Sequence, residues 1–410
     1  MSSIIKSDNG VSSGVTGIVQ IADSSGQLAF QTTNSAGTAV TALTLNNSQQ
    51  ATFANTINVP NTFGFKNRII NGAMVIDQRN NGASVTPTGI GSATYLVDRW
   101  ASYASQSSKF SAQQNAGSVT PPTGFTNYLG ITSLSSYSIS SSDYFIVSQA
   151  IEGFNTADLA WGTSNAKTVT LSFQVYSSLT GTFGGVLTNN AQNRTYPFTY
   201  TISSANTWTS ISITIAGDTT GTWLTNNSKG IWVILGLGCG SAQSSTAGAW
   251  GSTSALSATG ATSVVGTNGA TFYITGVQLE VGTQATSFDY RPFTTELQLC
   301  QRYFFTSGGA HEYAAFLDGG AGDYPSVAPL TWPSTMRTTP SIFSFTFGSV
   351  GYNNGSTYTT FTPSGGTSIY YGNGICGYVA QGGVSNSPGA SQASKGCYWS
   401  GVSFSLQAEL

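Results

Sequence analysis

Short runs in which apolar and polar residues alternate recur along the whole chain, with a period of two rather than the 3.6 of a helix. Between residues 17 and 61 the runs GIVQI, LAFQTT, ALTL and ATFANTI are separated by the turn-forming clusters Asp23 to Gly26, Asn34 to Gly37 and Asn46 to Ser48. They predict short strands joined by tight connections. The stretch KTVTLSFQVY, residues 167–176, places Val169, Leu171, Phe173 and Val175 on one face and mostly Thr, Ser and Gln on the other. Further strands are predicted over 198–202, 208–215 and 230–237, the last apolar on both faces and therefore central in its sheet. In 271–281, Tyr273, Val277, Leu279 and Val281 fall on one side, Phe272 and Ile274 point the other way, and Gly276 marks a candidate bulge. Beyond Pro292, either Thr294 or Thr295 can cap a short helix aligning Leu297, Cys300 or Gln301, and Phe304. Alternation resumes over 341–347, 358–361, 368–371, 375–379 and 402–406.

This order of elements implies an all-β protein in three parts. Residues 1–64 are expected to form a β stem, 65–292 a jelly-roll-type sandwich of two antiparallel sheets, and 293–410 a small β-sandwich tip attached through the short helix. Val59, Pro60 and Asn61 mark the break before the sandwich. The long loop 238–269 around Trp250 holds little besides small and polar residues and is expected on the surface.

Composition narrows the function. Only 7% of the residues are charged, against about 25% in ordinary globular proteins. The 13 basic and 15 acidic residues give a formal charge of −2, and neither sign forms a run able to follow a phosphate backbone. No nucleic-acid partner is expected. The longest apolar run, Ile231 to Leu235, is too short to cross a bilayer, and MSSIIKSDNG lacks the pattern of a signal peptide, so no membrane insertion is expected either.

Several motifs occur in a fixed order: NRIINGAMVIDQR from Asn67 to Arg79, Asp98-Arg99-Trp100, VQLE from Val277, FDYRP from Phe288, and EL..CQRYF from Glu296 to Phe304. Trp332-Pro333, Met336-Arg337 and Ala408-Glu409-Leu410 follow. Together they resemble a module common in tail fibres and other virion proteins of tailed bacteriophages, over most of residues 66–410. The resemblance implies a structural virion protein made in the host cytoplasm, with three chains winding around one axis at the stem. Its partners would be other tail or baseplate proteins at the N-terminal region and a host surface glycan or lipopolysaccharide at the far end. A head fibre or other virion decoration protein carrying the same module is the alternative. The central sandwich resembles carbohydrate-binding modules.

Candidate chemistry is sparse, and no cofactor or metal motif is read. His311 is the only histidine, which excludes a His-based triad or a multi-His metal site within one chain. Flanked by Gly308, Gly309, Ala310 and Glu312, it reads as an exposed turn, with a metal on a threefold axis as the sharper alternative. Glycan cleavage needs two carboxylates roughly 5 to 9.5 Å apart. Asp318 and Asp323, in FLDGGAGDYP, are the nearest pair in sequence, but aspartates in such turns more often bond their own backbone. No enzyme is expected, and a glycan depolymerase is the rival. Cys239, Cys300, Cys376 and Cys397 lack metal-ligand spacing; a Cys376–Cys397 disulfide is one option and small buried residues the other. Sugar binding asks only for flat aromatic faces with amides and hydroxyls beside them. Tyr352 and Asn353, and Tyr371 and Asn373, lie in glycine-rich tip segments suited to that task, and Trp250 offers a second face in the sandwich.

The stem sets its own test. Ile18, Ile21, Leu28, Phe30, Leu43, Leu45, Phe53 and Ile57 form faces too small to close a core alone. Three copies could bury them at roughly 25 cal/mol per Å². Sedimentation of the full-length protein is expected to give a trimer, weakened when residues 1–60 are removed; a full-length monomer would end the idea.

Overall fold

Gly276 takes φ = 64° inside an eleven-residue strand, Thr271–Val281, and its bulge decides which side chains of that strand enter the core. On the neighbouring strand the register slips between Ser172 and Gln174, opposite the bulge. Phe272 and Ile274 before it and Val277 and Leu279 after it all reach the main core, whereas Tyr273 packs on the opposite face and Val281 is exposed. Strict alternation, which groups Tyr273 with Val277, Leu279 and Val281, is therefore corrected: the extra residue shifts the phase by one and reverses the faces. A Cβ at position 276 would come 2.6 Å from Phe125 Cζ, so space as well as φ requires glycine there.

The computed structural model describes residues 8–9, 16–17, 28–33, 38–45, 51–53, 65–308, 311–317, 326–346, 349–353, 358–361, 367–371, 376–381 and 396–410. Side chains are described for 28–31, 38–45, 51, 65–308, 331–341, 343–344 and 403–410. The chain divides into two compact units, Met1–Pro60 and Asn61–Leu410.

In the first unit Leu28–Thr33, Ala39–Leu45 and Ala51–Phe53 form an antiparallel three-stranded sheet, and Asp8–Asn9 pairs with Thr16–Gly17. The strand readings over 18–21 and 54–57 lie outside the described residues. None of the described side chains between residues 28 and 45 is buried, and Phe30 is 45% exposed.

In the second unit eleven strands build a sandwich: β1 (Thr94–Val97), β2 (Trp100–Ala104), β3 (Phe110–Gln114), β4 (Leu129–Ser133), β5 (Tyr144–Glu152), β6 (Val169–Ser177), β7 (Gly181–Thr188), β8 (Thr195–Ile202), β9 (Thr209–Ile215), β10 (Lys229–Cys239) and β11 (Thr271–Val281). One sheet runs β8-β7-β10-β5-β2-β1 and the other β9-β6-β11-β4-β3, with antiparallel neighbours throughout. This is a jelly-roll-type β-sandwich. The alternating side of β6, Val169 to Val175, enters the core between the sheets, as its pattern requires.

Strand β10 is central and buried on both faces: Ile231, Val233, Leu235 and Leu237 enter the main core. Trp232 and Ile234 pack outward against Ile146, Val186, Ala255 and Leu256. The loop after β10 is thus not wholly at the surface, contrary to expectation. Ser257 sits where a Cβ on Gly184 or Gly236 would fall, 2.7 and 2.6 Å from its Oγ, so two glycines clear a seat for the loop on the sheet.

A helix, α1 (Phe293–Gln301), follows. Neither Thr294 nor Thr295 caps it: Pro292 is the N-cap, with no side-chain hydrogen bond, and the fixed proline ring sets the entry instead. Cys300 is buried against Ile70, Ile76 and Tyr303. Among the described residues nine strands follow: β12 (Phe304–Thr306), β13 (His311–Leu317), β14 (Ser326–Thr331), β15 (Ser341–Thr346), β16 (Ser349–Asn353), β17 (Tyr358–Phe361), β18 (Thr367–Tyr371), β19 (Cys376–Gln381) and β20 (Gly396–Gln407). The twelve-residue β20 pairs with β13 and β16 along its first part and with β12 and β15 along its second. His311 opens β13 opposite Val402 rather than standing in a turn, because the apolar run behind it continues the ladder. Asp318 and Asp323 lie outside the described residues. Cys376 and Cys397 sit on strands with β13 and β14 between them. At about 4.8 Å per strand that separation is roughly 14 Å, beyond the reach of a disulfide.

The chain's last residues return to the sandwich. Glu409 accepts hydrogen bonds from Arg79, at 3.0 Å, and from Arg99, with side chains only 9%, 3% and 2% exposed in that order. Arg337 donates to the carbonyls of Ala408 (2.7 Å), Glu409 (2.6 Å) and Asn227 (2.9 Å). Arg302 and Tyr303 both donate to Glu152 at the end of β5. Removing one partner of a buried ion pair leaves the other uncompensated, at about 3–5 kcal/mol. Glu409→Ala is therefore expected to lower stability in chemical unfolding of the full chain by that amount, and a loss below about 1 kcal/mol would show that solvent reaches the arginines.

Candidate functional site

Antiparallel pairing collects three connections at one end of the sandwich: residues 153–168 between β5 and β6, 189–194 between β7 and β8, and 216–228 between β9 and β10. Backbone and side-chain bonds lock them together. Gly162 N donates to Asp218 O (2.7 Å) and Asn189 Nδ2 to Thr222 O (3.0 Å). The loop after β10 runs back along the edge strand β8, where Gly251 pairs with Thr195 and Gly248 N donates to Pro197 O, and so brings Trp250 to the same end.

Four aromatic rings meet there. Trp161 lies 4.7 Å from Trp223 and 5.3 Å from Trp250, Trp223 lies 5.4 Å from Trp250, and Tyr196 lies 5.3 Å from Trp250, all edge to face. Each indole N–H is used on a backbone carbonyl: Trp161 on Lys167 (2.8 Å), Trp223 on Thr220 (3.2 Å) and Trp250 on Ala216 (2.7 Å). With the N–H groups anchored, ring faces are what the cluster can present. Trp161 is 7% exposed, and the other three rings are half-buried. Beside them a cavity of about 310 Å³ is lined by Leu159, Trp161, Thr163, Trp223, Leu224 and Ile231. That volume is at the lower end for small-ligand pockets, about 300–1,000 Å³.

Two arginine–aspartate pairs are held at this end. Arg194 grips Asp218 through two hydrogen bonds of 2.7 Å, and Arg68 grips Asp158 likewise at 2.8 and 2.7 Å. Burial alone would raise the Asp218 carboxyl, but Arg194 and the Thr220 amide hold it below the usual carboxylate range. The cavity therefore offers apolar faces and hydroxyls without unpaired charge, which is chemistry for stacking on a neutral ring.

Elsewhere the buried carboxylates serve the fold. Burial pushes Asp98 up to about 6 against two hydrogen bonds from Gln78, but it is enclosed, with no path for a substrate. Glu152 would also rise on burial, yet the hydrogen bonds from Arg302 and Tyr303 hold it low. Among the described residues no cluster of three or more His, Cys, Asp or Glu side chains could hold a metal. A larger groove of about 680 Å³ runs along the junction past Arg79, Tyr95, Arg337 and Phe343, but its arginines already serve Glu409 and backbone carbonyls.

Of the five binding residues read from the sequence, only Trp250 has a described side chain, and its companions Trp161, Trp223 and Tyr196 were missed. Tyr352 lies on β16 opposite Cys397, and Asn353 ends that strand; Tyr371 ends β18 opposite Gly377. Asn373 lies outside the described residues. Strands β20, β13, β14 and β19 stand between β16 and β18, so the sheet does not bring the two tyrosine segments side by side.

No protein-family model matches the chain, and no curated protein matches it. Solved structures do. An enzymatically active domain of tailspike protein 4 from bacteriophage CBA120 matches at 10% identity and a TM-score of 0.29, over 53% of this chain and 21% of that one, so the chain spans about a fifth of that domain's length. A structure described as CBM4 matches at 15% identity and a TM-score of 0.25, over 52% of this chain and 99% of that one. A family 11 carbohydrate-binding module from Clostridium thermocellum, solved with a mixed-linked β-1,3-1,4 tetrasaccharide, matches at 11% identity and a TM-score of 0.25, over 49% and 99%.

The cluster separates structural from presenting rings. Trp161→Ala is expected to cost about 3–5 kcal/mol in urea unfolding, as for a buried large-to-small change, and Trp223→Ala about 1–2 kcal/mol. Equal costs would mean that Trp223 is as much a core residue as Trp161.

Proposed function

We propose that this chain is a tail fibre or closely related adhesion protein of a tailed bacteriophage, non-enzymatic and trimeric, that attaches to the host surface by binding glycans. The carrying observation is the cluster of Trp161, Trp223, Trp250 and Tyr196 beside a charge-balanced cavity, formed where loops from both sheets meet. Ring faces stack on the C–H surfaces of sugars, and Thr163 and the loop backbone can meet hydroxyls. Weak single sites suffice when three chains and several fibres engage one cell, because effective concentration multiplies them. The motifs resembling phage fibres support the virion placement, and a head fibre remains the second reading within the particle.

Binding of purified full-length protein to host cells is expected to fall at least tenfold in a Trp223→Ala, Trp250→Ala double variant that still folds. Retention in that variant, with loss in Tyr371→Ala, Asn373→Ala, would move the receptor site to the distal segments. New reducing ends from host polysaccharide would replace the binder with a depolymerase. Gold-labelled antibody confined to capsids would place the chain on the head.

A further inference from the structure

The outer face of the six-stranded sheet carries two polar groups with no hydrogen-bond or ion-pair partner among the described residues. Trp232 is 6% exposed, packed among Ile146, Val186, Ile234 and Leu256. Its Nε1 makes no hydrogen bond to any described residue, in contrast to the indoles of Trp100, Trp161, Trp208, Trp223 and Trp250, and unlike the enclosed Nε atoms of Arg68 and Arg79 it opens to solvent. Lys229 Nζ lies 4.0 Å from the centre of the same ring and has no carboxylate. Glu152, its register partner on β5, is engaged by Arg302 and Tyr303. Tyr103 stands edge-on to the indole at 5.4 Å and walls one side. The neighbouring hydroxyls are satisfied internally: Ser148 Oγ donates to Ala101 O, and Thr188 and Thr195 bond each other.

An N–H that opens to solvent from an otherwise buried ring is met by water or by an acceptor that displaces it. Here the two groups without a described partner are both donors, one cationic, at the edge of the Trp232 indole beside Tyr103. Burial also pushes the Lys229 ammonium below its usual range, as expected where no anion offsets desolvation. We infer that this face is a second binding site, for an acidic sugar whose ring rests by Trp232 and Tyr103 while its carboxylate or phosphate accepts from Trp232 Nε1 and Lys229 Nζ. It is independent of the neutral aromatic cluster and of the proposed host attachment.

Calorimetric titration of the full-length protein with a uronic-acid oligosaccharide, its carboxyl-reduced neutral counterpart, a phosphorylated hexose and inorganic phosphate tests the site. At least one acidic sugar is expected to bind at least tenfold tighter than the neutral one. Trp232→Phe, which keeps the ring and removes the N–H, and Lys229→Gln are each expected to weaken that binding about tenfold, a loss typical of a hydrogen bond to a charged group. Trp223→Ala is expected to leave it unchanged. Equal binding of acidic and neutral sugars, wild-type affinity in both variants, or loss in Trp223→Ala alone would overturn the inference. Inorganic phosphate binding as tightly as the acidic sugars would overturn the role given to the rings.

Discussion

A carboxylate taken out of water must be met by a cation and by hydrogen bonds, or the fold loses several kcal/mol. In a chain with so few charges this constraint organises the second unit. Glu409 lies between Arg79 and Arg99, Glu152 between Arg302 and Tyr303, and Glu296 accepts from Arg291 and from the amide of Asn71. All of these contacts except Arg291 to Glu296 join segments far apart in sequence. Asn67 does the same with neutral groups: its side chain donates to Val277 O and accepts from the amides of Ile69 and Leu279, clasping the backbone on the far side of the bulge. Gln278 and Glu280 in turn hold the passage to FDYRP through the amides of Asp289 and Thr286.

Apart from Glu152 and Thr286, these are residues of the motifs set out in the sequence. Gly72 belongs with them, since a Cβ there would stand 2.1 Å from Val277 O. These motifs thus describe how the sandwich closes and how the following segment is fastened to it. Where the motifs reach the loop-bearing end, Arg68 on Asp158 and Arg337 on Asn227 O, they fasten the loops by hydrogen bonds to groups other than the aromatic rings.

Much of the architecture was legible because alternation is a direct image of one face buried and one exposed. β6, β9 and β10 were read within a few residues, and so was the bulge in β11. The consequence of that bulge was not, since a phase shift depends on whether Gly276 actually takes a positive φ. β2, β5 and β7 escaped because WASYA and YFIVSQAIE are buried on both faces and GTFGGVLT carries glycines where the covering loop sits; none shows an alternation to read. The aromatic cluster escaped for another reason. Trp161, Trp223 and Trp250 come from three connections, and only the pairing of strands sets them together. Accounting for the indole N–H then separates Trp232 from Trp100, Trp161, Trp208, Trp223 and Trp250, a distinction invisible in a list of tryptophans.

One more property follows from the way β12 and β20 leave and rejoin the junction. Phe304 pairs with Gln407, so the polypeptide departs and returns across a single ladder rung. Everything from residue 308 to 402 is, in topological terms, a parenthesis. Its two ends are held by groups on the sandwich side, Arg302 at the opening and Ala408 and Glu409 at the close. Domains whose ends lie close together can be inserted into a host fold with little disturbance to it. Recombination that kept Arg337, the interior's own fastening to Asn227, Ala408 and Glu409, could therefore exchange the rest of this interior for an unrelated one, letting that segment evolve at its own pace on an unchanged base.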